Sequence, residues 1–337
     1  MSQVHDANLS GQDSIENYIR EFPNQEQVKM MTAWLADNSP GTFTFTGLVD
    51  PSDDTVITPQ ATVDYGYCWF SPSEGPAVVH TPGYDRFFSV SVFDMRHNVP
   101  AVIVHPGKPI LLIRPGQVIP DGEYAVVELE TDQGLVLTRM VVVDNINHVR
   151  ELSRSIVMDG GDGDMHRDVQ RFSPQVEKAA LQLLKAAIDT EPPGEGFGRR
   201  SGDVGEILLA GSVLIGQLGT PSDSVRYSVI LTDQEGEALN GTDTYVVTVP
   251  AGIVHDDGYF SVTVYDTDNK LLIQNEKGIY DRTSYTSQRN DDGSYVITLR
   301  PDGEGKNGIP TGKPFYGLLR AYMPVDDIDM TPSVTKV

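Results

Sequence analysis

Residues 87–94 read Phe-Phe-Ser-Val-Ser-Val-Phe-Asp, and residues 259–266 read Tyr-Phe-Ser-Val-Thr-Val-Tyr-Asp, so the chain writes one strand twice. Apolar and small polar residues alternate with the period of two that marks a half-buried strand. Phe88, Val90 and Val92 therefore share a core face, answered by Phe260, Val262 and Val264. The opposite faces set two small hydroxyls between two aromatics: Phe87, Ser89, Ser91 and Phe93, then Tyr259, Ser261, Thr263 and Tyr265. Upstream, Val78-Val79-His80-Thr81-Pro82 answers Val246-Val247-Thr248-Val249-Pro250, and Val63-Asp64-Tyr65 answers Val225-Arg226-Tyr227. A diverged internal duplication of a β-domain follows, with a period too long for a solenoid.

Short strand-like runs extend the pattern. Phe43–Leu48, Tyr65–Phe70, Ala77–His80, Phe87–Phe93, Ala101–Val104, Ile110–Ile113, Tyr124–Glu130 and Leu135–Val143 fill the first block. Tyr227–Thr232, Tyr245–Val249, Phe260–Tyr265, Leu271–Gln274, Tyr295–Arg300 and Phe315–Tyr322 fill the second. Before the first block, Ile15, Tyr18, Ile19 and Phe22, then Val28, Met31, Trp34 and Leu35, predict two helical pieces split at Pro23. Between the blocks, Ile146, Val149, Ile156 and Val157 predict one helix, and Val176, Ala180, Leu183, Leu184 and Ile188 a second that ends before Pro192-Pro193. The apolar stretch 207–218 predicts a buried core helix too short to span a bilayer, and 325–337 shows no clear element. The expected class is mainly β with an α insert. Two jelly-roll-like β-sandwich domains, 42–144 and 225–337, are joined by a small helical domain at 145–224 and preceded by N-terminal helices at 1–41.

The second block resembles the bacterial domain of unknown function 1214. The resemblance rests on Leu239-Asn240-Gly241, Asp243-Thr244-Tyr245, Pro250, the strand 259–266, Asp292-Gly293-Ser294, and Phe315 with Arg320-Ala321-Tyr322. The first block is similar to its usual N-terminal companion, the domain of unknown function 1254, through Thr58-Pro59, Tyr65, Gly75-Pro76-Ala77-Val78-Val79 and Asp85-Arg86-Phe87-Phe88. The resemblance implies two β-sandwiches around a helical insert and implies no reaction. Where that family carries an Asn-x-Asp-Thr run, this chain reads Gln60-Ala61-Thr62-Val63.

A formal charge of −23 over 337 residues argues against nucleic acid and anionic membranes as partners, since both need a basic surface. Cys68 is the one cysteine, so no internal disulfide or cysteine-based zinc site exists, and its neighbours Tyr67 and Trp69 suit a buried, inert thiol. Met-Ser-Gln-Val-His-Asp at 1–6 has neither a basic nor an apolar signal-peptide region, so a soluble chain is expected.

Candidate chemistry is sparse. Asp94 and Asp266 end the repeated strand and read as turn residues whose carboxylates bond nearby amides; Arg96 and His97 keep a site role open for Asp94. No histidine pair has metal-ligand spacing, although His80, His97 and His105 of the first block could converge. Asp162 and Asp164 in the run 159–168 resemble a weak calcium loop but lack the glycine and glutamate of an EF-hand; otherwise no cofactor is expected. No dinucleotide loop, P-loop or nucleophile elbow is present.

Two functional classes remain. One is a small-molecule binder or hydrolase, for a carbohydrate-like ligand, with its site between the first sandwich and the helical insert. It assigns Arg86, Asp94 and His97 to catalysis and Tyr65, Trp69, His80, Tyr259 and Tyr265 to the ligand. The other is a non-catalytic, homo-oligomeric assembly unit such as a surface or virion component.

Overall fold

The structure, a computed structural model, describes residues 13–52, 58–188 and 195–337. The readings at 1–6 and at Pro192-Pro193 lie outside them. Among the described residues the chain is mainly β, with four sheets and four helices.

After β1 (Thr44–Gly47), the first unit comprises β2 (Val63–Phe70), β3 (Ala77–His80), β4 (Phe88–Asp94), β5 (Ala101–Val104), β6 (Ile110–Ile113), β7 (Ala125–Glu128), β8 (Gly134–Val141) and β9 (Val157–Asp159). The second comprises β10 (Val225–Ile230), β11 (Tyr245–Val249), β12 (Val254–Asp266), β13 (Asp281–Thr283), β14 (Tyr295–Arg300), β15 (Ile309–Pro310), β16 (Phe315–Pro324) and β17 (Ser333–Lys336). The sheets run β1-β2-β8-β4-β5 and β7-β6-β3-β9, then β10-β16-β12-β13 and β15-β14-β11-β17. With β1 set aside, the two orders coincide strand for strand, including one parallel pair in each unit, β6 with β7 and β14 with β15. That parallel pair departs from the all-antiparallel plan of the expected jelly roll.

The alternation in the repeated strand explains the packing. Phe88, Val90 and Val92 enter one core with Val79, Ile110 and Leu112 of the facing sheet. Phe260, Val262 and Val264 enter another with Val247, Val249, Ile297 and Leu299. Each such side chain, fully buried, contributes roughly 1.5–3 kcal/mol.

The second face of the first sheet is covered at one end by helices. α1 (Ile15–Trp34), α3 (Pro174–Ile188) and α4 (Glu206–Ile215) pack on one another and bury Trp69, Phe93, Leu135 and Leu137. α2 (Ile146–Ser153) lies elsewhere, its Val149 in the core of the first unit. α1 starts at Ser14, whose hydroxyl accepts from the Asn17 amide at 3.2 Å, and it runs through Pro23 unbroken. An interior proline costs about 3 kcal/mol. Burial of Tyr18, Ile19, Phe22 and Met31 on both sides of it outweighs that local cost.

Three other local readings change. Val157 leaves the predicted helix for β9, which pairs with β3. Leu271–Gln274 makes only a bridge, Leu272 to Tyr265. The tail supplies β17, which pairs with β11. In each case the deciding partner is remote in sequence, where local periodicity carries no signal.

The two units meet through equivalent residues. Val63 and Val225, Phe87 and Tyr259, and Val141 and Tyr322 are matched pairs in the two repeats, and all six form one apolar cluster. Self-matching contacts of this kind are what a twofold-related interface produces.

Candidate functional site

The register places a three-residue row on the second face of each unit. Arg139 on β8 lies opposite Tyr65 on β2 and Ser89 on β4. Arg320 on β16 lies opposite Tyr227 on β10 and Ser261 on β12. The same Tyr-Arg-Ser row is therefore written in both repeats, and both arginines lean one step along the sheet. Arg139 Nη1 donates to Ser91 Oγ at 2.9 Å, and Arg320 Nη1 reaches the equivalent Thr263 Oγ1 at 3.5 Å.

Each arginine is also bound by the chain that leads into the other repeat. Arg320 Nη2 donates to the Thr58 carbonyl at 2.7 Å, ahead of β2, and Arg139 Nη2 donates to the Leu218 carbonyl at 3.3 Å, ahead of β10. Thr58 and Leu218 both take positive φ, 54° and 60°, which turns these carbonyls into the seam.

The two rows differ in how they are closed. Around Arg320, Tyr265 Oη accepts at 2.8 Å while its own hydroxyl donates to the Pro59 carbonyl at 2.6 Å. Burial pushes the Tyr265 phenol up to about 12. Asp281 completes this side: burial pushes its carboxyl up to about 6, against the Thr62 hydroxyl that donates to it at 3.0 Å and the charges of Arg320 and Arg282. Burial opposes the Arg320 charge, yet the phenols of Tyr265, Tyr322 and Tyr227 hold its pKa above the ordinary value. Arg320 is thus an internally satisfied, buried cation.

Arg139 is partly exposed and has no carboxylate within 4.0 Å among the described residues. Its guanidinium carbon stands 6.0 Å from the centre of the Tyr65 ring, within cation–π range. Tyr322 sits between the rows. Burial, then the nearby Tyr65 phenol, raises its pKa, while Arg320 and Arg139 pull it back. Tyr65, Leu218 and Arg139 are partly exposed and Tyr227 is exposed where the helices, the first sheet and the second unit adjoin.

The residues assigned from sequence fall in separate places. β4 alone holds Arg86 and Asp94 apart, since its six steps span ~20 Å. Arg86 pairs with Asp85 at the surface and lies over Tyr285. Asp94 is buried in a turn, where Oδ1 accepts from the amides of Arg96 and Asn98 and Oδ2 from Asn98 Nδ2. Burial raises its pKa. Asp266 repeats the turn, taking the Asp268 amide and Lys313 Nζ. His97 Nδ1 donates to the Pro23 carbonyl at 3.0 Å under α1, and burial lowers its pKa to about 4. The proposed catalytic trio does not assemble.

The three histidines also stay apart. His80 pairs with Asp159 at 2.9 Å on another sheet, and His105 stands against Phe87. Trp69, Tyr259 and Tyr265 are fully buried, so of these expected aromatic contacts only Tyr65 is partly exposed. Asp164 caps the His166 amide, and among the described residues no group of three or more His, Cys, Asp or Glu is placed to hold a metal. Arg139 and Leu218 were missed. A signal for Arg139 exists in the paired strands, because Arg139 and Arg320 stand at one position of the duplication, but no local repeat around Arg139 flags it.

Two family models match the sequence: a protein of unknown function, DUF1254, over residues 40–159, and a protein of unknown function, DUF1214, over residues 224–326. No curated protein matches the chain. Among solved structures, the VPA0106 protein from Vibrio parahaemolyticus is similar over 95% of this chain and 98% of its own, with a TM-score of 0.77 at 19% identity. An uncharacterized protein from Burkholderia cenocepacia is similar over 99% of this chain and 91% of its own, with a TM-score of 0.50 at 12% identity. At such identities the likeness concerns the fold alone. Both models matched in this order, on a fold shared along nearly the whole length, make the chain a member of the tandem DUF1254 and DUF1214 family of proteins of unknown function.

Proposed function

We propose that the chain is a small-molecule-binding protein, built of two β-sandwiches, whose site is the junction at Tyr65, Ser91, Arg139, Leu218 and Tyr227. The observation that carries this reading is the half-open Arg139 row beside its closed Arg320 counterpart. Polar groups from three elements converge there on a solvent-reachable guanidinium, the pattern of a pocket with a few fixed polar anchors. Binding is favoured over hydrolysis because, among the described residues, Ser89, Ser91 and Ser261 have no hydrogen bond to a histidine that would activate them.

A thermal-shift panel of sugars, neutral aromatics and small acids tests the reading on the full chain. A ligand at a hundred times its Kd adds about 2.7 kcal/mol. Tyr65→Ala and Tyr227→Ala should each remove the shift; a shift that survives both substitutions moves the site elsewhere.

One observation favours the assembly unit as a second reading. β1 covers the edge of β2, whereas the equivalent edge strand β10 pairs only with β16 and shows Tyr227 and Val229, with Leu231 just beyond it, at 39, 52 and 59% exposure. No proline or bulge blunts that edge. Under this reading the protein is a homo-oligomer joined along β10. Light scattering that gives a monomer for the wild type, unchanged by Val229→Lys, would remove it. Among the described residues no helix is long and apolar enough to cross a membrane.

A further inference from the structure

We infer that two copies of the chain pair antiparallel along β10, about a twofold axis at Ser228, so that their second units share one continuous sheet. This inference rests on the assembly reading above and names its symmetry and register. In the first unit the strand β2 is covered twice: β1 pairs with it at Tyr65 and Tyr67, and Trp34 of α1 lies against the Tyr67 ring at 4.3 Å. Tyr65 and Tyr227 lie opposite Arg139 and Arg320, and Tyr67 and Val229 opposite Leu137 and Leu318, so Tyr227 and Val229 are the matched positions of the second unit. Both are exposed, and β10 has a strand on one side only.

The hydrogen bonds fix which groups face the open edge. The Met323 amide donates to the Ser224 carbonyl at 2.9 Å, so 224 and 323 begin the hydrogen-bonded pairs between β10 and β16. Such pairs recur at every second residue, which turns the main chain of Arg226, Ser228 and Ile230 to β16 and that of Val225, Tyr227 and Val229 outward. At the ends the edge is already engaged: the Val225 amide donates to the Pro221 carbonyl at 3.1 Å, and the Leu231 carbonyl accepts from the Leu239 amide at 3.4 Å. The open edge is therefore the main chain of Tyr227 and Val229.

That edge is complementary to itself. A twofold at Ser228 sets Tyr227 opposite Val229 of the second copy, and Val229 opposite its Tyr227, and each pair exchanges both N–H···O bonds. A twofold at Tyr227 or at Val229 would need the Val225 amide or the Leu231 carbonyl, both engaged. The same axis sets Val225 opposite Leu231, so one face pairs apolar with apolar at each step. Any strand would satisfy the main-chain groups; the symmetry of the apolar positions about Ser228 selects a second copy. Charge agrees: in a chain of net charge −23, residues 225–231 carry no carboxylate, and their one charged side chain, Arg226, is paired with Asp326 at 3.3 Å. Two acidic copies thus meet along a strand without unpaired charge.

Light scattering and oxidative cross-linking on the full chain test the assignment. The interface is at the small end of the specific range, so the wild type should pass from monomer to dimer over about 1–100 μM chain, and V229K should stay monomeric. Ser228 lies opposite Ser228 of the second copy in a non-hydrogen-bonded pair with Cα atoms about 4.5 Å apart, within disulfide reach, whereas two V229C residues lie on a diagonal of about 7–8 Å. On mild oxidation S228C should form a reducible dimer about tenfold faster than V229C, with the buried Cys68 silent. A wild type that stays monomeric leaves the edge to a strand of another protein and overturns both this inference and the assembly reading. A dimer that V229K leaves intact is joined elsewhere and overturns both as well. A dimer that V229K splits, but in which V229C cross-links as fast as S228C, keeps the assembly reading and overturns the register.

Discussion

The rings of Phe87 and Tyr259 lie 4.8 Å apart at 49°, and the two residues hold the same place in the two repeats. Tyr322 stacks on Tyr259 at 4.5 Å and reaches Phe87 at 5.3 Å, so one aromatic cluster joins the halves of the molecule. The seam is thus a contact of the repeated strand with its own copy.

Phe87→Ala and Tyr259→Ala should each destabilise the protein by about 3–5 kcal/mol, the usual cost of emptying a packed aromatic site. Because the rings touch, urea unfolding of the double variant should show a coupling of about 0.5–1.5 kcal/mol. Strict additivity would mean that the seam contributes no pairwise energy.

The two arginines should respond in opposite ways to the same change. Arg320→Gln leaves Asp281 buried and less compensated and should cost about 3–5 kcal/mol. Arg139→Gln removes a partly solvated charge with no carboxylate partner and should stay within about 1 kcal/mol. Equal losses would contradict the difference between closed and open rows.

Two buried groups tie stability to pH with opposite signs. The folded Asp281 carboxyl, raised to about 6, keeps its proton where the unfolded one has lost it, so its contribution is present below the unfolded carboxylate pKa and declines as pH rises towards 6. The folded His97, lowered to about 4, stays neutral where the unfolded imidazole is charged, so its contribution grows as pH rises from 4 to the unfolded value. The two trends oppose each other between about 4 and 6. Asp281→Asn should therefore steepen the rise of stability with pH in that window, and His97→Gln should leave a fall. Chemical unfolding at four pH values reads both slopes, and parallel curves for wild type and Asp281→Asn would sink the assignment.

Cys68 lies on β2 in the core of the first unit, where burial pushes its thiol up to about 12. A water-soluble disulfide reagent at pH 8 should leave it unmodified in the folded protein and modify it fully in urea. Rapid labelling of the native chain would place the thiol at the surface instead.

Much of the β framework was legible because it rests on local alternation. Ala77–His80, Ala101–Val104, Ile110–Ile113, Tyr245–Val249 and Tyr295–Arg300 form strands with the bounds their sequence predicts. The turn role of Asp94 was legible for the same reason, since the amides that donate to it lie within four residues. β9, β13 and β17 were not, because Asp281-Arg282-Thr283, Val157-Met158-Asp159 and Ser333–Lys336 carry no run of alternating apolar residues and are set by their partners β12, β3 and β11.

The sequence by itself determined that the chain is a duplicated, mainly β protein and that Phe88, Val90 and Val92, with their counterparts, face a core. Alternation decides which face a strand buries, and that information is carried by neighbouring residues. Only the tertiary structure decided what covers the other face: helices over Phe93 and Trp69, a second repeat over Phe87, and partial exposure at Arg139. Whether an arginine's donors are satisfied depends on residues far along the chain, as Thr58 and Tyr265 are for Arg320. Coulomb energy and hydrogen bonds follow distance in space, which sequence separation does not report.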